Sequence, residues 1–259
     1  MSESIYINNP AIIFAFLIEA SFIFIYSFIN IKYYNGKLST ILIGIGGFFC
    51  SVFLEGVIIS LIASIFGNDS SLLIFLSLLF PGLFEETGRY ICFKYFIKND
   101  KDKIESISYG IGHGGIESFL IGASLLQFIF AKDILIEKGV LKQDMTFGPI
   151  FMGVIERFVC VFLQISFSVL VYKAYKDNNI RYYLLAIFFH DFVDFFAFLY
   201  QRKILENIYV VELIICLITL LFSRFAYKLY INLEREKVDN NEKQVKEKIP
   251  LADKKESED

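Results

Sequence analysis

Three short stretches of the chain place glutamate, histidine and aspartate at spacings that could support hydrolysis. Residues 85–89 read Glu-Glu-Thr-Gly-Arg, residues 112–117 read Gly-His-Gly-Gly-Ile-Glu, and residues 190–194 read His-Asp-Phe-Val-Asp. A general base must exchange protons near neutral pH, and carboxylate and imidazole side chains most often do so in enzymes. The chain has only two histidines, and both lie inside these stretches. The three stretches are therefore candidates for parts of one catalytic site.

The first stretch places two carboxylates next to each other in an apolar segment. Glu85 and Glu86 repel each other when both are ionised, so one of them is expected to hold a proton readily. Arg89 lies within one helical turn of both and can form an ion pair with one of them. Pro81 and Gly82 precede the pair and should loosen the helix there. The alternative is a structural ion pair that holds helices together.

The second and third stretches each combine an imidazole with a carboxylate one turn later. Glu117 follows His113 by four residues and Asp194 follows His190 by four, so each carboxylate could orient its imidazole. Four glycines surround His113 and permit the close approach of another helix or of a substrate backbone. The alternative for both stretches is a packing helix with a satisfied core histidine.

Hydropathy indicates that membrane helices position these stretches. The chain has 259 residues, of which 56% are hydrophobic, and apolar runs of about 20 residues recur, each long enough to cross about 30 Å of hydrocarbon. We predict an all-α fold, a polytopic membrane helix bundle with about seven transmembrane helices. The predicted spans are residues 10–31, 39–66, 71–97, 107–130, 148–172, 181–200 and 207–230.

The last part of the chain differs in composition from the rest. Residues 1–231 are predicted to form one transmembrane helical domain. Residues 232–259 have mixed charge and few large apolar groups, so they are predicted to be a disordered cytoplasmic tail. No basic block indicates a nucleic-acid partner, and the lipid bilayer is the expected surroundings.

Loop charges predict the orientation, because cytoplasmic loops carry an excess of lysine and arginine. Basic residues cluster in the loops after the first, third and fifth spans, which favours an outside N-terminus and a cytoplasmic C-terminus. On that topology Glu86, His113 and His190 lie about 17, 9 and 13 Å from the cytoplasmic ends of their spans, at about 1.5 Å per residue. Independent structural ion pairs have no reason to share a depth, so the common depth favours one site.

Other charged residues within the spans give less information. We expect them to be mostly structural, with Glu156 as the one that lines the cavity of the predicted site. We also expect the neighbours Glu156 and Arg157 not to share a helix face. They are Glu19, Glu55, Glu156, Arg157 and Glu212.

Together the motifs resemble the YhfC family of bacterial intramembrane proteases, which is placed with PrsW-type site-one proteases and CAAX prenyl endopeptidases. The resemblance covers the third to sixth spans, and its most specific part is the glycine-rich histidine motif. It implies proteolysis of a membrane-embedded or membrane-proximal peptide in a bacterial plasma membrane. It also implies a set of site residues: Glu85, Glu86, Arg89, His113, Glu117, His190 and Asp194. CAAX endopeptidases have three residues between the paired glutamates and the arginine; this chain has two, so a prenylated substrate is not implied.

Two mechanisms use these residue types. In a zinc mechanism, His113, His190 and a carboxylate of Glu86 or Asp194 hold Zn²⁺, and Glu85 or Glu86 deprotonates water. In a metal-free mechanism, which is preferred at this point, a glutamate with His113 activates water while His190 and Asp194 stabilise the oxyanion.

Two other classes of function use the same residue types. Buried carboxylates and histidines can form the proton relay of a proton-coupled transporter. A non-catalytic membrane scaffold or immunity protein could keep the motifs as a ligand pocket.

Overall fold

The structure is a computed structural model that describes residues 5–68, 70–97, 102–141 and 144–248. Seven helices in these ranges are long and apolar enough to cross a membrane, and α5 and α6 are short. The predicted all-α bundle with seven spans is confirmed. The helices are α1 (Asn9–Tyr34), α2 (Leu38–Phe66), α3 (Ser71–Ile91), α4 (Ile104–Leu125), α5 (Gln127–Phe130), α6 (Lys132–Glu137), α7 (Phe147–Lys176), α8 (Ile180–Gln201) and α9 (Ile208–Lys248).

Side-chain caps set the beginnings of three spanning helices. Asn8 accepts a hydrogen bond from the backbone of α1, Ser70 from that of α3 and Asn179 from that of α8. Such caps satisfy backbone N–H groups that have no partner inside the helix. These three helices begin within one residue of the predicted starts, at residues 9, 71 and 180.

The structure adds features that hydropathy does not predict. The predicted loop between α4 and α7 contains α5 and α6. A π-helical turn over Cys92–Phe96 extends α3. The final helix is described as far as Lys248, so it enters the predicted tail, while residues 249–259 lie outside the described ones. The disorder of the tail and the orientation of the bundle stay predictions.

Helix α7 lies at the centre of the bundle. It packs against α1, α3, α4, α8 and α9, and 56% of its most apolar stretch is buried inside the protein, against 11% for α2. Because α7 touches so many neighbours, a polar side chain on it can reach groups from several helices.

The glycines of α4 let its neighbours approach closely. A side chain at Gly112 would collide with the carbonyl of Ile41 on α2. A Cβ at Gly114 would lie 2.8 Å from Gln164 of α7, and one at Gly115 would lie 2.8 Å from Ile23 of α1. Of the two expected uses of these glycines, the structure therefore shows helix packing. The tight packing holds His113 at a fixed depth between α2 and α7.

Candidate active site

The paired glutamates of α3 lie just after the proline and are buried. Glu85 is 7% exposed, and Glu86 and Arg89 are fully buried. Before them, the N–H of Gly82 donates to Oδ1 of Asp191 on α8 at 3.0 Å. Since Pro81 cannot donate a backbone hydrogen bond, this contact with α8 ties the helix in the turn where its own bonding is interrupted. The segment of α3 that was expected to be loosened is therefore anchored to α8 by this hydrogen bond.

Arg89 contacts Glu86, as its spacing predicts, but its main partner comes from α7. Its Nε lies 3.5 Å from Oε2 of Glu86. Its terminal nitrogens donate to the backbone oxygen of Gln164 at 2.8 Å and to the side-chain oxygen of the same residue at 2.5 Å. The guanidinium is therefore held by a neutral amide as well as by a carboxylate, which fixes α3 against α7.

His113 is fully buried and turned toward α3. Its Nε2 lies 2.8 Å from Oε2 of Glu85. The ring of Phe48 packs edge-on against the imidazole, with 5.2 Å between ring centroids. The other ring nitrogen, Nδ1, is buried and has no hydrogen-bond partner among the described residues. The imidazole is therefore positioned by one carboxylate from another helix and by an aromatic wall.

His190 is turned toward the same pair of glutamates. Its Nδ1 lies 2.8 Å from Oε1 of Glu86, and its Nε2 lies 3.7 Å from Oε2 of Glu85. The ring of Phe167 stacks on the imidazole with centroids 5.0 Å apart and planes 4° apart. The Nε2 atoms of both histidines therefore face one oxygen of Glu85, and Glu86 holds the far side of one ring.

Two expected partners differ from the sequence prediction. The expectation that Glu117 orients His113 is wrong in this structure: its carboxylate accepts hydrogen bonds from Arg157 and Gln164, each at 2.8 Å. The permanent positive charge of Arg157 on α7 attracts the carboxylate of Glu117. Asp194 is not the orienting partner of His190 either, because the two lie 3.8 Å apart and the Asp194 side chain is 40% exposed. Glu86 takes that position instead.

Glu156 and Arg157 form an ion pair even though neighbours on a helix lie on different faces. Although they are neighbours on α7, the long arginine side chain bends back and binds Glu156 directly. Glu156 was expected to line the cavity of the histidine site, but it lines a different cavity whose lining residues all lie outside that site.

Sequence reasoning missed three positioning residues. Gln164 lies between Arg89 and Glu117, and its Nε2 is 3.5 Å from Oε2 of Glu85. The only indication of this role in the sequence is a single amide side chain within an apolar span. Asp191 lies within a motif already singled out, and Phe167 carries no signal among so many phenylalanines.

The fold and the site together define a polytopic membrane protein with a histidine and glutamate centre buried in its helix bundle. The model of the family described as YhfC intramembrane metalloprotease matches residues 15–215. The chain belongs to this family, which confirms the resemblance seen in the motifs.

One relative shares part of the chain. The uncharacterised membrane protein YhfC of Bacillus subtilis (strain 168) is 32% identical over 166 residues, an alignment that covers 55% of this chain and 63% of the relative. The match therefore spans less than two thirds of the relative's length. No solved structure matches the chain.

The metal that the family description implies can be compared with the side chains present. Imidazole nitrogens and carboxylate oxygens are the donors of catalytic zinc sites, and the Nε2 atoms of His113 and His190 face one carboxylate. A carboxylate on the far nitrogen of a ligating histidine is typical of such sites, and Glu86 takes this place at His190. In the described parts of the chain, no three histidine, cysteine or acidic side chains are grouped as a ligand set. The donor types fit zinc, whereas Glu86 fits the outer position better than that of a direct ligand.

Proposed function

We propose that the protein is an intramembrane endopeptidase that hydrolyses a peptide bond in or near the membrane. One observation carries the proposal: imidazoles from α4 and α8 meet Oε2 of Glu85 in the buried interior, at 2.8 and 3.7 Å. Proton-exchanging groups from three helices around one point are what activation of water next to a peptide carbonyl requires. The family to which the chain belongs supports the same activity.

Glu85 is the proposed general base. It is slightly exposed, whereas Glu86 is fully buried, so water can reach Glu85 more easily. Its contact with His113 lets the two side chains share the proton that is taken from water. The same pair can then return that proton to the amine that leaves when the peptide bond breaks.

Glu86 is proposed to position His190 rather than to react. A carboxylate at Nδ1 accepts a hydrogen bond from the N–H of that nitrogen and so fixes the tautomer and the angle of the ring. The Nε2 atom then faces Glu85 either with a lone pair or, when the ring is cationic, with an N–H donor. A lone pair suits metal binding and an N–H suits the stabilisation of an oxyanion.

If zinc is used, His113 and His190 would hold it through Nε2, with Asp194 as the nearest further carboxylate that does not already have another role. Bound zinc would polarise the carbonyl and acidify water. In both mechanisms Glu85 is the proposed base and Glu86 positions His190. Sharing of the proton between Glu85 and His113 belongs to the metal-free mechanism alone, because Nε2 of His113 would be occupied by zinc in the other. Glu117 and Arg89 are proposed as positioning residues, since both bind Gln164.

A proton-coupled transporter is the main rival, and a chain of contacts from Glu85 through Gln164 and Glu117 to Arg157 resembles a relay. A guanidinium does not release its proton in proteins, so Arg157 interrupts that chain. The contacts therefore favour a positioning network over proton transport.

Cleavage of single-span peptides in proteoliposomes, followed by mass spectrometry, tests the proposal. The wild-type protein should cleave at least one peptide of a panel, and Glu85→Gln or His113→Ala should abolish the cleavage. Glu137→Gln is the matched control, because this exposed residue lies on α6, away from the site. Proton flux without cleavage by the wild type would instead support the transporter. No cleavage by the wild type, together with a cellular function that is unchanged in His190→Ala, would support a scaffold.

The zinc content of the purified protein decides between the two mechanisms. Zinc that copurifies with the wild type, and is lost in the His190→Ala variant, would support the metal mechanism. Activity that survives chelation in protein free of zinc would support the metal-free one.

A further inference from the structure

A second cavity lies in the half of the bundle that carries the N-terminus. Its volume is about 680 Å³, and it is enclosed by α1, the end of α4, the beginning of α7 and the end of α8. None of the histidine-site residues lines it, whereas Glu19, Glu156 and Arg157 do. The cavity is therefore a separate site to which the proposed chemistry assigns no role.

Glu19 reaches this cavity as a buried carboxylate without a partner. The residue is 1% exposed, and its Oε2 makes no hydrogen bond to any described residue. The carboxylate lies over Gly122 of α4, where an added Cβ would come within 2.9 Å of Oε2. The glycine on α4 thus leaves room for the Glu19 carboxylate, whose Oε2 could still accept a hydrogen bond.

Acidic side chains outnumber basic ones at one end of the cavity. Arg157 already forms ion pairs with Glu117 and Glu156, so its single positive charge does not also neutralise Glu19. Glu212 of α9 lies next to Glu156 and has a further buried oxygen without a partner among the described residues. Four carboxyl groups thus adjoin one guanidinium, and among the other residues that line the cavity Asp144 and Glu206 outnumber Lys203. Buried carboxylates are costly in an apolar interior unless protons or another cation neutralise them.

The shape and the walls of the cavity indicate what kind of cation fits. A volume of about 680 Å³ lies in the range of sites for organic ligands and is far larger than a bare ion needs. Leu125, Phe128 and Ile150 form apolar walls beside the carboxylates. Lysine and arginine combine a methylene stem with a charged head, and so match a cavity with apolar walls and an anionic end.

The cavity is also connected to the proposed catalytic base. Arg157 at its inner end donates to Glu117 at 2.8 Å, Glu117 accepts from Gln164 at 2.8 Å, and Gln164 lies 3.5 Å from Glu85. A group held in the cavity would therefore lie near the path of a peptide that crosses the histidine site.

We propose that this cavity binds a lysine or arginine side chain of the peptide substrate, on the part of the peptide that extends from the histidine site toward the N-terminal face. Glu19 is the main partner of the bound ammonium or guanidinium. This inference rests on the proposed function, because it assigns a substrate preference to the same enzyme.

The test measures binding without turnover. Full-length protein carrying Glu85→Gln is titrated in detergent micelles with a fluorescent single-span peptide that has one lysine beyond its apolar core, and with the same peptide carrying glutamine there. The lysine peptide should bind at least about tenfold more tightly. Adding Glu19→Gln should remove that difference. Adding Glu55→Gln, a change in another intramembrane glutamate that does not line the cavity, should keep it.

Equal binding of the two peptides would overturn the inference, and this comparison needs no substitution in the cavity. A preference for lysine that survives Glu19→Gln would overturn it as well. Calcium chloride and sodium chloride are titrated in parallel: binding of either ion that depends on Glu19, without a preference for the lysine peptide, would show an inorganic cation site instead.

Failure of the proposed function gives a different result. Binding that depends on lysine, together with no cleavage by the wild type, would refute the protease but keep the cation site. Cleavage by the wild type with equal KM for both peptides would keep the protease and refute the cation site.

Discussion

Replacement of Glu86 by glutamine separates positioning from base catalysis. The substitution keeps the size of the side chain but removes the charge that lies 2.8 Å from Nδ1 of His190 and 3.5 Å from Nε of Arg89. A hydrogen bond to a charged group contributes about 1.5–3 kcal/mol, which corresponds to a loss of about 10- to 100-fold in kcat, since each 1.4 kcal/mol is tenfold. Loss of the base in Glu85→Gln should cost more, about 100- to 10,000-fold.

The assay is steady-state cleavage of the best peptide in detergent, with rates expressed per folded molecule. Thermal unfolding is measured alongside, because Arg89 loses a charged partner in Glu86→Gln but keeps both bonds to Gln164. If zinc is bound in the wild type, the affinity of the protein for zinc should also fall by about 10- to 100-fold in Glu86→Gln. Such a loss is typical when the partner of the second ring nitrogen of a ligating histidine is removed. A greater loss of kcat in Glu86→Gln than in Glu85→Gln would refute the assigned roles.

Three further predictions concern the residues that hold the site in place. Asp191→Ala removes the acceptor of the Gly82 N–H and should lower kcat by about tenfold, with a cost of about 1–3 kcal/mol in the free energy of unfolding; unchanged kinetics would contradict the anchor. Gln164→Leu leaves the guanidinium of α3 without its amide acceptor and should lower the melting temperature, and an unchanged melting temperature would contradict this role of the amide. Gly112→Ala pushes a methyl group into the backbone of α2 and should reduce the yield of folded protein far more than Gly46→Ala, which has open space around it; equal yields would disprove the tight packing.

Hydropathy predicted the seven membrane helices well because it reflects the transfer of each segment from water into lipid. Each span must bury its backbone polar groups within a helix, so the length of an apolar run fixes the helix closely. The common depth of Glu86, His113 and His190 could likewise be counted along the chain, and it correctly predicted that these groups meet.

The partners within the site could not be predicted in the same way. A spacing of four residues places Glu117 on the face of His113, but the rotation of α4 and the charge of Arg157 decide where that carboxylate turns. The contact between Glu86 and His190 joins residues 104 positions apart, and no pattern in a single chain specifies it. Gln164 is similar, since a lone amide gives no sign of the three helices it will connect.

The arrangement of the two imidazoles around Glu85 can be measured directly by NMR of the protein labelled with ¹⁵N-histidine and purified through a tag without histidine. The natural chain has two histidines, so two rings appear in the spectrum. We expect Glu85→Gln to shift the Nε2 resonances of both rings, and Glu86→Gln to shift chiefly Nδ1 of His190. A Glu85→Gln spectrum in which only one ring moves, or neither does, would contradict a shared site.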